Sequence, residues 1–322
     1  MNVISRIHVT IIFCVFLFTN ASAQVSETKL NAAAFQEFLD GANEKITEYA
    51  NVFKNLSAEE TKIIEVFDKS GNLKKKKTIL SDLIIYEPDS ESKKGNLREY
   101  HNVREVDGKA VENSDKRALN LFKNLAAAQS IEKELDKIKK ESLRYDTEIS
   151  VYGLVLTPFV GVVLSPNGRP SFEFTDIGAE KIGEKEMVVL KYQQISSNPM
   201  IDLKVKVPEF LEASEPRFRG EVWIDLQTKQ IRRFWQEVTI DSPRLTESLV
   251  VMRHEAVYHP SEFGIALPGK IIFESYNPRL NKKDFLLLMR NGKVKPEVYL
   301  NKRLTMEYKN FRRFDVTVKA DK

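Results

Sequence analysis

The end of the chain constrains the fold most. Leu304, Met306, Tyr308, Phe314, Val316 and Val318 share one parity, and Thr305, Glu307, Lys309, Arg313, Asp315 and Thr317 share the other. Side chains on a strand point alternately to opposite faces, so this stretch is a strand with one oily and one wet side. An antiparallel sheet covered on one face follows from such a pattern. Shorter runs of the same kind fill most of the chain. They are Glu60–Phe67, Thr78–Tyr86, Arg98–Val106, Lys109–Val111, Ser171–Thr175, Met187–Ile195, Glu221–Leu226, Ile231–Ile240, Leu245–Tyr258, Lys270–Tyr276 and Asp284–Met289. Turn signals separate several of them: Lys69-Ser70-Gly71-Asn72, Asp107-Gly108, Gln227-Thr228-Lys229 and Asn291-Gly292. The sum is about ten antiparallel strands with no βαβ repeat.

Helices supply the cover. Phe35, Phe38, Leu39, Ala42, Ile46, Tyr49, Phe53 and Leu56 recur at helical spacing and predict a first helix from about Ala32 to Asn55. A second long helix is predicted over Asp115–Arg144, inserted at about residues 114–145, its apolar stripe narrow and its second half almost wholly charged. Thr157-Pro158 reads as the cap and first position of a short helix through Leu164. That helix is apolar nearly all round, so it is either interior or a lid over an apolar cavity. The architecture expected is α+β and mainly antiparallel: a curved, incomplete barrel covered by two long helices and a short one.

The N-terminus carries an address. Arg6 precedes the apolar stretch Ile11–Phe18, and Ala21-Ser22-Ala23 offers small residues where a signal peptidase cuts. Residues 1–23 read as a signal peptide and 24–322 as one domain, exported, with the periplasm the first compartment and secretion the second. The one cysteine, Cys14, lies in that leader, so the remainder forms no disulfide and has no thiol nucleophile. No later segment approaches the roughly 20 apolar residues of a membrane span. Lys and Arg number 50 against 46 acids, which gives no basis for nucleic-acid binding.

Apparent catalytic motifs fail on geometry. Gly264–Lys270 resembles a phosphate loop, but Ile271 stands where Ser or Thr is needed and a strand follows instead of a helix. His254 and His259 are five apart, a spacing that puts them on opposite faces of a strand. Ser90 and Lys93 lie in a polar loop without partner motifs. His101 reads as a surface or strand residue. Asp82, Glu99, Glu105, Asp107, Glu221 and Asp225 read as solvated carboxylates near strand ends. No catalytic residue, metal ligand or cofactor is assigned. Lys74–Lys77 reads first as a solvated shoulder that blocks edge pairing, and second as a contact for anionic headgroups or an acidic partner.

Three segments carry a family likeness: Arg104-Glu105-Val106-Asp107-Gly108-Lys109, Gly220-Glu221-Val222-Trp223-Ile224-Asp225 and Tyr308-Lys309-Asn310-Phe311-Arg312-Arg313-Phe314. They resemble exported bacterial proteins, and the Gly220–Ile240 hairpin resembles the G-x-x-W-I-D…R hairpin of the LolA/LolB-like lipoprotein-sorting superfamily. That resemblance implies a half-barrel with an apolar concave side under helices, and lipid or lipoprotein acyl chains as cargo. No family functional residue maps onto a numbered position. The ligand-lining candidates are Phe35, Phe38, Phe159, Val162, Val163, Trp223 and Trp235, with the two tryptophans, on facing hairpin strands, read first as core or cross-strand packing. A filled interior would instead make the protein an envelope interaction module with a protein partner, and a hydrolase would need two close acids in a cleft.

Overall fold

The computed structural model describes residues 32–54, 56–86, 98–127, 131–146, 160–198, 215–290 and 292–313. The leader, Pro158, Phe159, Ser90, Lys93, most of the proline-containing crossing segment after Ser197, Asn291 and Phe314–Val318 lie outside them.

The described residues form one antiparallel sheet of eleven strands. In chain order these are β1 (Leu56–Phe67), β2 (Leu73–Tyr86), β3 (Arg98–Val106), β4 (Lys109–Ala110), β5 (Phe172–Ile182), β6 (Lys185–Gln194), β7 (Arg217–Asp225), β8 (Ile231–Ile240), β9 (Leu249–Pro260), β10 (Ala266–Arg279) and β11 (Glu297–Arg313). The spatial order is β4-β3-β2-β1-β11-β10-β9-β8-β7-β6-β5. Two meanders therefore meet where β11 pairs β1, with Glu60 opposite Tyr308 and Ile64 opposite Leu304. The outer strands β4 and β5 do not pair with each other, so the barrel is incomplete. Register shifts interrupt most strand pairs, among them Leu80/Ser81, Asp176/Gly178, Trp223/Ile224 and Pro268/Lys270. Such bulges bend and twist a sheet, which gives this one a concave side.

Helix α1 (Ala32–Phe53) fills that concavity. Its stripe, Phe38, Leu39, Ala42, Tyr49 and Phe53, is buried in one cluster with residues from every strand except the two-residue β4. Tyr49 stacks on Phe53 at 4.8 Å. Three contacts hold α1 from the sides. Arg169 reaches Asp40 at 2.8 Å. Lys229, in the β7–β8 turn, lies 4.3 Å over the Phe38 ring. Helix α4 (Val160–Leu164) packs against α1 at Gly161, where an added Cβ would come within 3.1 Å of Ile46.

Gly220 in β7 shows why that motif begins with glycine. A Cβ there would lie 2.1 Å from the Trp235 carbonyl oxygen and 2.8 Å from the Tyr192 hydroxyl. The outer face carries a ladder of ion pairs instead: Glu237 accepts from Arg219 at 2.6 Å and Arg253 at 2.9 Å, and Arg233 meets Glu255 at 2.8 Å. This is the wet side that the alternation predicted.

Two elements differ from the sequence expectation. The long second helix is two, α2 (Ser114–Ala127) and α3 (Ile131–Ser142). Arg117 meets Glu141 at 2.7 Å. A single straight helix would hold those residues roughly 36 Å apart at 1.5 Å per residue. Folding back lets both narrow stripes cover Tyr86 and Tyr100 on the outer side of β2 and β3, with Phe122 edge-on to both rings. Asp284–Met289 is also no strand. It belongs to helix α5 (Lys282–Met289), started by a capping box in which Asn281 and Asp284 exchange side chain-to-backbone hydrogen bonds.

Phe53→Ala removes a fully buried ring beneath the whole concavity. It is expected to cost about 3–5 kcal/mol in urea unfolding, the usual range for a core Phe→Ala change.

Candidate functional site

The concave side is largely apolar, and its buried charged side chains gather on β1 to β3. Leu56, Ala58, Glu60, Lys62 and Ile64 of β1 all face inward, so two charged residues occupy core positions. Ser81 of β2 and Glu99 and His101 of β3 face the same space. Ser81 donates to Glu60 Oε2 at 2.7 Å, and His101 Nδ1 contacts the same oxygen at 2.7 Å. Glu99 lies 3.9 Å from His101 Nε2. Lys62 donates to Asp146 at 2.7 Å. None of these residues is more than 5% exposed.

The α2–α3 hairpin supplies the last partner. β4 pairs only with Glu105 and Val106, so the edge of β3 that faces away from β2 has no strand partner at His101. The Ser142 hydroxyl, at the end of α3, accepts the His101 N–H there at 3.0 Å. The chain then turns inward and delivers Asp146 to Lys62. Outside, Asn102 donates to Asp115 at the start of α2 at 2.7 Å. The network thus fastens the hairpin to the sheet and covers an open strand edge.

Burial alone pushes the Glu60 carboxyl up. The positive charges of His101 and Lys62, with hydrogen bonds from His101 and Ser81, outweigh it and hold the group well below its usual range. Burial likewise pushes Lys62 down, but the Glu60 and Asp146 carboxylates raise it overall. Beside them, burial and then the Glu60 and Glu99 charges raise the Tyr308 phenol. The geometry does not make a nucleophile: Ser81 gives its proton to a carboxylate that is already ionised, and imidazole does not receive it. The arrangement is an internal ion network that holds elements in register.

His101 is therefore no surface residue, and Glu99 and Asp225 are not solvated. Asp225 instead accepts the backbone N–H groups of Gln227 and Thr228 in the β7–β8 turn. His254 faces the core between Phe234 and Phe273, whose ring stacks on it at 3.9 Å, and burial pushes it down to about 3. His259 is exposed at the end of β9, and among the described residues no group of His, Cys, Asp and Glu could hold a metal ion. The Lys74–Lys77 stretch of β2 pairs only with β1, because β3 begins pairing at Ile79. Lys77 donates to the Tyr145 carbonyl oxygen at 3.0 Å.

The ligand-lining candidates divide. Phe38 and Val163 are buried in the concave cluster, Phe35 packs against it, and Val162 is partly exposed on α4. Phe159 lies outside the described residues. Trp223 and Trp235 lie on the other face, in a separate cluster with Met187 and Val189. Trp223 donates to Glu180 at 2.7 Å and carries Arg233 on its ring. They do not line the concavity, because odd-numbered positions of β7 point away from Val222 and Ile224.

Between α1 and the sheet, the space beside Tyr49, Ile231 and Tyr258 is only about 20 Å³, room for a single water. A larger opening of about 660 Å³ lies at one end of the sheet, between the β9–β10 turn and the ends of β1 and β11. Phe263, Leu267, Pro268, Tyr308 and Phe311 form its walls, with Arg312 and Glu262 at the rim. Arg313 rests over the Phe263 ring at 5.6 Å. Phe311 also meets Phe53 at 6.5 Å, so this groove reaches the C-terminal end of α1. The sequence signal for it was Phe263 and Phe311, aromatics at strand ends beside exposed charge.

No protein-family model and no curated protein matches the chain. Solved structures do. A LolA superfamily protein from Nitrosomonas europaea is 10% identical, with 87% of this chain and 94% of that chain covered and a TM-score of 0.27. A "putative outer membrane lipoprotein-sorting protein domain" from Vibrio parahaemolyticus is 9% identical, covering 88% and 95%, with a TM-score of 0.32. A DUF1329 family protein from Desulfovibrio piger is 9% identical, covering 87% and 95%, with a TM-score of 0.28. The first two carry the names of the superfamily that the Gly220–Ile240 hairpin resembles.

Two predictions follow from the interior charges. Lys62→Met removes the buried cation that meets Asp146 at 2.7 Å and Glu60 at 3.9 Å, and is expected to cost about 3–5 kcal/mol in urea unfolding. Lys62→Met with Asp146→Leu removes both charges of the close pair and should recover most of that loss. Glu60 is held below its ordinary 4.5, so its stabilisation is complete above that pH and is lost as the pH falls further. Lys62 is held above its ordinary 10.5, so its share is complete below that pH and is lost as the pH rises further.

His254 has the opposite sign from a paired histidine. Its ordinary pKa is 6.5 and its folded value about 3, so between these the unfolded chain binds a proton that the folded chain refuses. Its contribution is complete above pH 6.5 and falls by about 1.4 kcal/mol per pH unit below it. His254→Phe should flatten the loss of stability between pH 6.5 and 4.5 by about that slope. An unchanged slope would remove His254 from the account.

Proposed function

We propose that the protein is an exported, non-enzymatic carrier for a hydrophobic ligand bearing an acyl chain, a lipid or a lipoprotein, and that α1 is its lid. The groove is the observation that carries this reading. Its volume falls within the range of small-molecule sites, its walls are aromatic and aliphatic, and Arg312, beside Glu59 and Glu262, offers one cation to an anionic head. It opens where Phe311 touches Phe53, at the end of the helix that fills the concavity. Lifting α1 would expose the apolar surface now covered by Phe38, Leu39, Tyr49 and Phe53. The narrow space under α1 in this closed state favours a second reading, an envelope interaction module with a filled core and a protein partner.

A disulfide staple separates the two. The chain has no cysteine beyond Cys14. A Cβ built at Gly41 lies 4.0 Å from the Lys229 Cβ, within disulfide range. Gly41→Cys with Lys229→Cys should therefore lock α1 to the β7–β8 turn under oxidising conditions. The expected result is uptake of a fluorescent fatty acid by wild type and by the reduced variant, with at least about tenfold weaker uptake when oxidised. Phe263→Glu should weaken uptake in either state. Native mass spectrometry with no co-purified lipid, together with no uptake of the probe by wild type, would overturn the carrier reading in favour of the filled module.

A further inference from the structure

At the end of the sheet opposite the groove, α5 presents its apolar side chains to solvent. Met289 is 70% exposed, Phe285 54%, Leu286 50% and Leu287 40%, and the helix has no buried residue. This is not a frayed segment. The capping box at Asn281 and Asp284 fixes its start, and Arg290 and Gly292 N–H groups return to Leu287 at its end. Gly292 lets the chain pass close to Leu287, since a Cβ there would lie 2.5 Å from that side chain and displace it. Leu280 and Leu288 pack against the core, and Val294, just beyond, exchanges backbone hydrogen bonds with Arg244 and Thr246. Local structure is thus organised to hold four apolar side chains outward.

The surroundings are cationic. From Arg279 to Lys295 the chain carries six basic residues and one acid, Asp284, which is engaged in the cap. Glu247 meets Lys295 at 3.0 Å, and Glu297 follows at the start of β11. The β1–β2 turn joins the same end, because Arg279 donates to the Lys69 carbonyl oxygen, and it adds exposed Leu73 beside Lys74.

We propose that this end of the molecule docks onto an anionic lipid bilayer, with α5 lying in the headgroup layer. A short, convex apolar ridge framed by cations matches an interface that is oily within and negative at its surface. Eight residues of helix measure about 12 Å, far short of a span, so α5 rests in the surface and does not cross it. From Glu297 to Tyr308, its first groove residue, β11 separates α5 from the groove by roughly 35 Å. Docking here leaves the groove facing the aqueous side, and the proposal is independent of what the groove binds.

Co-sedimentation with vesicles tests it. Wild type and variants share the same N-terminus, so any contribution of residues 1–23 cancels. Binding to phosphatidylcholine vesicles containing about a third phosphatidylglycerol should be at least tenfold tighter than to phosphatidylcholine alone, and should weaken with added salt. Phe285→Ser with Met289→Ser, and separately Lys282→Glu with Lys283→Glu, should each reduce it about tenfold with the thermal midpoint unchanged. Phe263→Glu in the groove should leave it unaltered. Absence of wild-type binding, indifference to phosphatidylglycerol, or variants that bind like wild type would each overturn the assignment. So would a concentration-dependent dimer lost in the Phe285→Ser/Met289→Ser variant without vesicle binding, which would make the occupant a second copy of the chain.

Discussion

β11 hydrogen-bonds to β10 on one side and to β1 on the other, and through those two ladders it makes a single surface of two meanders built far apart in the chain. Closing so long a loop is entropically unfavourable, although the cost grows only slowly with length. The gain is collective. Once β1 and β11 are paired, the concave face is continuous, and α1 can bury Phe38, Leu39, Tyr49 and Phe53 at once. The sheet without α1 would expose an oily hollow, and α1 without the sheet would be a helix with one face unsatisfied.

The same junction explains the position of the polar network. Glu60 and Lys62 lie on β1 beside β11, and the ligands they need come from β2, β3 and the end of α3. Buried ion pairs are poor net stabilisers, because desolvation offsets most of their attraction. The native register of three strands, with the α2–α3 hairpin seated on the β3 edge, brings these charges together, although Glu60 Oε1 has no hydrogen-bond partner. The hairpin is tied from both sides of the sheet, by Asp146 within and Asp115 without.

The two ends of the sheet differ in chemistry. One carries an aromatic groove lined also by Arg312, Glu59 and Glu262, beside the end of α1. The other carries an outward-facing apolar helix among lysines. In an antiparallel sheet, turns alternate between the two ends, so loops distant in sequence gather at each one. Phe263 and Phe311 come together in this way, as do the β1–β2 turn and Arg279.

Period-two alternation settled most of the fold in advance, because a covered sheet permits no other parity. Leu304, Met306 and Tyr308 are buried as their spacing demanded, and the stripe of α1 needed a concave partner. Parity gave no sign that polar residues held inward positions. Glu60 and Lys62 have the right phase for the core and the wrong chemistry for it, and their partners lie on other strands and beyond α3, at separations no local pattern records. Asp284–Met289 has strand-like composition, and a two-residue capping box decided for helix. The tryptophans of β7 and β8 invited a place in the cavity, yet which parity faces inward depends on the curvature of the whole sheet. Sequence alone determined that there would be one oily face and a helix to cover it, since burial of apolar area is local in its demand. Only the tertiary structure decided which charges went inside and which aromatics met at a rim, because those choices depend on pairing between segments hundreds of residues apart.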